Sequence, residues 1–263
     1  MMHWSIPLAL AGSLAGGASP AAVADAAPSP GVPVVQSAQA QSFAELEAAY
    51  KAALEHWEKA IRAAEDGDAR RALRKQHPAN EFYPLFKQAL GRGEQMAAVW
   101  MIVNARRTEL SRDEAGQAAV ELYTLLLQSE QIELAVLEAV CPQLLRDRRA
   151  LGEERALALL TGAFERLESR ECKGLLALTL GHFFERTSTP EAAASVLDWF
   201  ERAASDFGDT PHGIEAGDIV FERKHLAVGA VAPDFGGQSI DGEEIKLGDT
   251  RGKIVVLDFF GFW

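Results

Sequence analysis

Two residues in this chain could do thiol chemistry, Cys141 and Cys172, and their spacing speaks against it. A redox dithiol keeps its cysteines within a C-x-x-C turn, so that one attacks and the other resolves the mixed disulfide. These two lie 31 positions apart (141 and 172) and neither belongs to such a pair. An even count in an exported protein allows a disulfide between them. Their surroundings, LEAVCPQLL and ECKGLLAL, are apolar and helical in period. There a free cysteine behaves as a small hydrophobe, which is the role expected of both. His56, Trp57, His77, Trp100, Met101 and His182 are expected to be core or surface residues. No two His and carboxylate positions share a helical face at ligand spacing, so neither a metal nor a cofactor is expected.

The elements that would have to position any chemistry fall into a leader, a linker, a long helical region and a short β segment. The leader is MMHWSIPLALAGSLAGGASPAAVADAAPS, with an apolar stretch from Ile6 to Ala18 and an A-x-A site at Ala22-Val23-Ala24. Residues 1–24 therefore read as a secretory signal, and the protein is expected to be exported, periplasmic or in the cell envelope. Apart from the α-amino group and His3 the basic n-region is missing, so a start codon placed too far downstream or a lipid-free anchor stays open. The stretch is too short and Gly-rich for a confident membrane span. Residues 25–41, DAAPSPGVPVVQSAQAQ, carry no charge after Asp25 and describe an extended linker, with a second A-x-A at Ala38-Gln39-Ala40. The balance of 26 basic against 38 acidic residues, net -12, with no basic block, excludes nucleic acid as an expected partner.

From 42 to 226 the apolar spacing is helical throughout. Leu46, Tyr50, Leu54, Trp57 and Ile61 line one face of a first helix ending near Gly67. EQMAAVWMIVNAR, residues 94–106, is apolar nearly all round and predicts a buried central helix. Ser111 and Glu114 form a capping box for the next. Leu157, Leu160, Phe164 and Leu167 mark another helix, and Leu176, Leu180 and Phe183 the one after. Thr189-Pro190 opens a helix with Val196, Phe200, Ala203 and Phe207 on one face. The fold class expected is mainly α: a solenoid-like stack of helical hairpins, degenerate and similar to tetratricopeptide units, with PEAAASVLDWFERAASDFGDTP as part of one.

At Val228 the pattern changes to that of strands. Residues 228–263, VGAVAPDFGGQSIDGEEIKLGDTRGKIVVLDFFGFW, show two short strands around an Asp241-Gly242 turn. The polar turn GDTRG then leads into an apolar strand, Ile254 to Phe260. This stretch resembles the opening of the redoxin family, the AhpC/TSA and TlpA-like branch of the thioredoxin fold. The likeness is carried by VGAVAPDF, the DG hairpin and LGDTRGKIVVLDFFGFW, in the family's order, over 36 residues. Phe260 stands where tryptophan is commoner, and Gly261-Phe262 replaces a variable pair.

The resemblance implies an incomplete thioredoxin-like α/β domain, with the family's first active-site cysteine due immediately after Trp263. In the family that cysteine sits at a helix N-terminus, which stabilises its thiolate. Asp258 matches the buried carboxylate that many of these proteins carry beneath the dithiol. Held in an apolar sheet with a raised pKa, it would exchange a proton with the resolving thiol. Trp263 would flank the dithiol and shield it, while Pro233 and Phe235 would fix the leading loop. The implied activity is exported thiol-disulfide exchange or antioxidant peroxide reduction, acting on protein dithiols, disulfides or peroxides. Dithiol exchange is favoured, because the peroxidase branch has a threonine three positions before its cysteine and Gly261 stands there. The chain as printed is expected to be inactive, truncated before a catalytic cysteine or, if the next codon is UGA, a selenocysteine; an artefact or pseudogene stays open beside it. The alternative function is a non-catalytic helical scaffold that binds a protein partner.

Overall fold

A computed structural model describes residues 41–187, 190–258 and 261, without the side chains of 190–194. The expected signal and all of the linker before Gln41 lie outside the described residues, as do Thr189, Phe259, Phe260, Phe262 and Trp263. Mainly helical architecture follows from the apolar period. Ten α-helices are assigned among the described residues, and the one sheet among them is a two-stranded hairpin near the C-terminal end. No helix among them is long and apolar enough to cross a membrane.

Local capping decides where the first helices begin and end. α1, Phe43–Ala63, opens on a capping box: the Ser42 N–H donates to Glu45 Oε2 at 2.8 Å while Ser42 Oγ accepts from the Glu45 N–H. It stops short of the expected Gly67, because the Asp66 carboxylate accepts the Ala69 N–H at 2.6 Å and starts a separate helix, α2, Gly67–Lys75. α2 buries no residue. It is held to α1 by Trp57, whose ring N–H donates to the Leu73 carbonyl at 2.8 Å.

α3, Ala79–Gly91, and α4, Met96–Asn104, form the first buried centre. The expected helix over 94–106 is buried as its composition demands, but its last turn tightens to a 3₁₀ turn at Ala105–Arg107. Trp100 of α4 stacks on Phe86 of α3 with centroids 3.9 Å apart and meets the Tyr50 ring of α1 edge-on at 4.8 Å. The Tyr50 hydroxyl donates to Oδ1 of buried Asn104 at 3.0 Å, and the Asn104 amide donates to the Trp100 carbonyl at 2.9 Å. The only strongly polar side chain of α4 is thereby satisfied inside the core.

α5, Arg112–Leu127, starts on the expected Ser111/Glu114 capping box. α6, Leu134–Leu151, and α7, Glu153–Arg166, follow and pack on each other and on α5. α8, Arg170–Glu185, is the second buried centre: it contacts α6, α7, α9 and α10, and is buried almost continuously from Cys172 to Phe183. α9, Pro190–Phe207, turns Val196, Phe200, Ala203 and Phe207 inward. Its close approach to α8 depends on a missing side chain: a Cβ on Gly181 would stand 2.6 Å from the Phe200 ring. α10, Pro211–Phe221, is capped by the Thr210 hydroxyl and ends in a single π turn, Glu222–Leu226. Every buried residue among those described lies between Leu46 and Ala216, so the helices close their core without the residues after Leu226.

Candidate functional site

The redox-like stretch begins where the helices end. The backbone is irregular from Ala227 to Phe235, then forms β1, Gly236–Gln238, and β2, Glu244–Lys246. These pair antiparallel with Gly236 opposite Lys246 and Gln238 opposite Glu244. The turn sits on Asp241-Gly242, as its residue types require: Gly242 takes φ +85° and donates its N–H to the Ser239 carbonyl at 3.0 Å. A 3₁₀ turn, Leu247–Thr250, follows β2.

Beyond that turn the expected strand is not formed. Ile254 to Asp258 is irregular, and its side chains are exposed, Ile254 at 99% and Val256 at 87%. A strand needs a neighbour for its N–H and C=O groups, and among the described residues the hairpin offers it none. Asp258 is exposed on irregular backbone. Trp263, the other expected site residue, lies outside the described residues.

The leading loop is fixed by a residue that sequence reasoning passed over. Of the expected anchors Pro233 and Phe235, Phe235 accepts the Leu247 N–H on its carbonyl at 3.0 Å. Between them, Asp234 accepts the Gly248 N–H on Oδ1 at 2.7 Å. The available signal was an acidic residue before β1 and a glycine just after β2.

The two cysteines are kept apart from this region. Cys141 on α6 and Cys172 in the first turn of α8 are both free and buried. Burial pushes the Cys141 thiol up to about 12 from an ordinary 9.0, opposed only in part by a hydrogen bond with Thr179, while nearby Cys172 adds to the rise. That is the reverse of an activated nucleophile. His77 lies edge-on to Trp57 at 4.6 Å, and burial, followed by the charge of Arg107, lowers its pKa. A notch of about 400 Å³ between α8 and the end of α10 is lined by His182, Glu185, Glu222 and Arg223 among others. Glu185 there is already paired with both His182, at 3.1 Å, and Arg223. Among the described residues no group of three His, Cys, Asp or Glu side chains could hold a metal ion.

No protein-family model matches this chain, and no solved structure matches it. The chain is similar to two curated proteins, each a thiol-disulfide oxidoreductase ResA. One is from Geobacillus thermodenitrificans (strain NG80-2) and one from Geobacillus kaustophilus (strain HTA426). Each is 48% identical over 42 residues, covering 16% of this chain and 24% of the relative. The chain thus spans about a quarter of the length of these relatives. The likeness relates a short part of the chain to thiol-disulfide oxidoreductases.

Proposed function

We propose that residues 228–263 are the opening of a redoxin-type, thioredoxin-like domain, and that the protein is an exported thiol-disulfide oxidoreductase carrying a helical N-terminal region. The observation that carries this reading is the 48% identity over 42 residues to the two oxidoreductases. We place that match at the C-terminal end, where its 42 residues would take in residues before Val228 as well as the β1–turn–β2 hairpin and the GDTRGK turn, which run in the order of the redoxin motif. Neither Cys141 nor Cys172 is available for exchange, so the reading requires a cysteine pair, or a selenocysteine and a cysteine, downstream of Trp263. Substrates would then be protein dithiols and disulfides. Asp258, carried into a central strand once further strands pair with Ile254–Asp258, would be the proton-exchanging carboxylate under that pair.

A second reading is favoured by the self-contained helical core. Residues 42–226 bury their apolar faces without the C-terminal stretch, as a solenoid-like scaffold for a protein partner would. The two readings are compatible in one molecule.

One experiment separates them. The gene is expressed with the reading frame continued past the codon for Trp263, and insulin-disulfide reduction is compared with that of the chain ending at Trp263. Activity that appears only in the longer protein, and that slows on Asp258→Asn, supports the oxidoreductase. A continuation that encodes no cysteine or selenocysteine pair leaves the scaffold.

A further inference from the structure

We propose that Asp234 is a latch that sets the C-terminal hairpin and, through it, the direction in which the chain enters Ile254–Asp258. The latch stands on geometry alone; its tie to a redox site rests on the thioredoxin-like reading above.

Asp234 lies immediately outside the ladder. Its Oδ1 accepts the Gly248 N–H at 2.7 Å, next to the bond from the Leu247 N–H to the Phe235 carbonyl and one step beyond the Gly236–Lys246 pair. The hairpin is closed at its far end by the turn Ser239–Glu243, where the Ser239 N–H donates to the Glu243 carbonyl at 2.8 Å. Asp234 closes the open end. β1 and β2 are three residues each with every side chain exposed, so packing contributes little to holding them together. A backbone N–H bound by an ionised carboxylate is about twice as strong as a neutral pair and becomes a major part of what holds this hairpin in register.

The residue at 248 leaves the carboxylate room: a Cβ there would stand 2.7 Å from Asp234 Oδ2, the free end of a side chain that can turn aside, so glycine eases the bond without being required for it. The hold then passes along the chain: the Arg251 N–H donates to the Gly248 carbonyl at 3.3 Å and the Lys253 N–H to the Thr250 carbonyl at 3.0 Å. These two bonds form the turn that runs from Gly248 to Lys253, the residue directly before Ile254. Arg251 and Lys253 are the charged groups that share the hollow beside Asp234. Asp234 is thus a positioning residue: it touches no reacting atom and acts through the turn.

The test is nitrogen-15 NMR of the whole chain with Asp234→Ala and Asp234→Asn. The Gly248 amide should exchange on the order of tenfold faster in Asp234→Ala, with the Gly236–Lys246 cross-strand contact weakened and helical resonances unmoved. Asp234→Asn, which keeps a neutral acceptor, should restore part of the protection. An amide and a cross-strand contact unchanged in Asp234→Ala would overturn the latch. In the protein continued past Trp263, Asp234→Ala should lower insulin-reduction turnover and Asp234→Asn recover part of it. If that protein is inactive with Asp234 in place, the redox reading fails while the amide measurement still decides the latch.

Discussion

Raising the pH above neutrality titrates Cys141 in the unfolded chain long before it does so in the folded one. The thiol ionises at about 12 in the fold, against an ordinary 9.0, because burial beside α8 penalises the thiolate. Above 9.0 the unfolded state therefore binds fewer protons than the native state, and stability falls as pH rises. Between pH about 8 and about 10.5 the loss from this one group is ~2 kcal/mol, at about 1.36 kcal/mol per unit beyond the unfolded value. Tyr123, whose phenol burial and then Asp147 push upward, contributes in the same direction, so the quantity to measure is a difference between proteins. Cys141→Ala should be less stable than the wild type by about 1 kcal/mol at pH about 8, through the small cavity it leaves. At pH about 10.5 it should be the more stable by a similar amount, ~1 kcal/mol, since it has no thiol to ionise. Urea denaturation of both proteins at the two pH values checks this. A stability difference that does not change with pH would refute the account of the site. The same burial leaves Cys141 with about a thousandth of an ordinary thiol's thiolate at pH about 8, so native protein should react with a disulfide reagent at this residue only as fast as it unfolds.

Gly181→Ala should destabilise the α8–α9 contact by about 1–3 kcal/mol in thermal melts, since its Cβ would meet the Phe200 ring at 2.6 Å, and Phe200→Leu in the same chain should recover part of the loss. Tyr50→Phe should cost about 0.5–1.5 kcal/mol by removing one of two donors to buried Asn104 Oδ1, Arg107 remaining at 3.2 Å, and Tyr50→Phe made in an Asn104→Ala background should add much less than it does alone. Limited trypsin digestion should cut first at Lys246, Arg251 and Lys253, all in the exposed stretch, and leave a resistant helical product ending near residue 226; full-length resistance would count against the division of the chain drawn here.

The helical region was legible because its determinants are local. The Ser111/Glu114 box acts within one turn, and the inward faces of α1 and α9 recur at helical spacing. The first helix ends at Ala63, a few residues before the expected Gly67, and α2 beyond it gave no signal of its own because Leu73 is its one large apolar residue. Residues 254–258 show the opposite failure. Their composition specifies a strand, but strand formation depends on a neighbour that spacing within the segment cannot supply. Asp258 shares that fate, since its burial was an expectation about the sheet around it. The Asp234–Gly248 bond went unseen for a related reason: it joins residues on either side of a hairpin whose register had to exist first.

The contrast between the two parts of the chain bears directly on function. In the helical part the large apolar side chains are mostly inside, and even Asn104 has partners. In the C-terminal part Val228, Val231, Ile240, Ile254 and Val256 are all strongly exposed. Burying a side chain of this kind is favourable by about 1.5–3 kcal/mol, so five of them represent on the order of 10 kcal/mol of burial that the stretch alone does not realise. Val228 and Val231 precede the hairpin, Ile240 lies in its turn, and Ile254 and Val256 follow it. A central strand of a thioredoxin-like sheet, apolar on both faces and covered only when later strands and helices arrive, would bury the two that follow. The exposed run therefore favours the oxidoreductase reading for residues 228–263. The core of residues 42–226 is complete without that stretch, so the two parts of the chain can be tested separately.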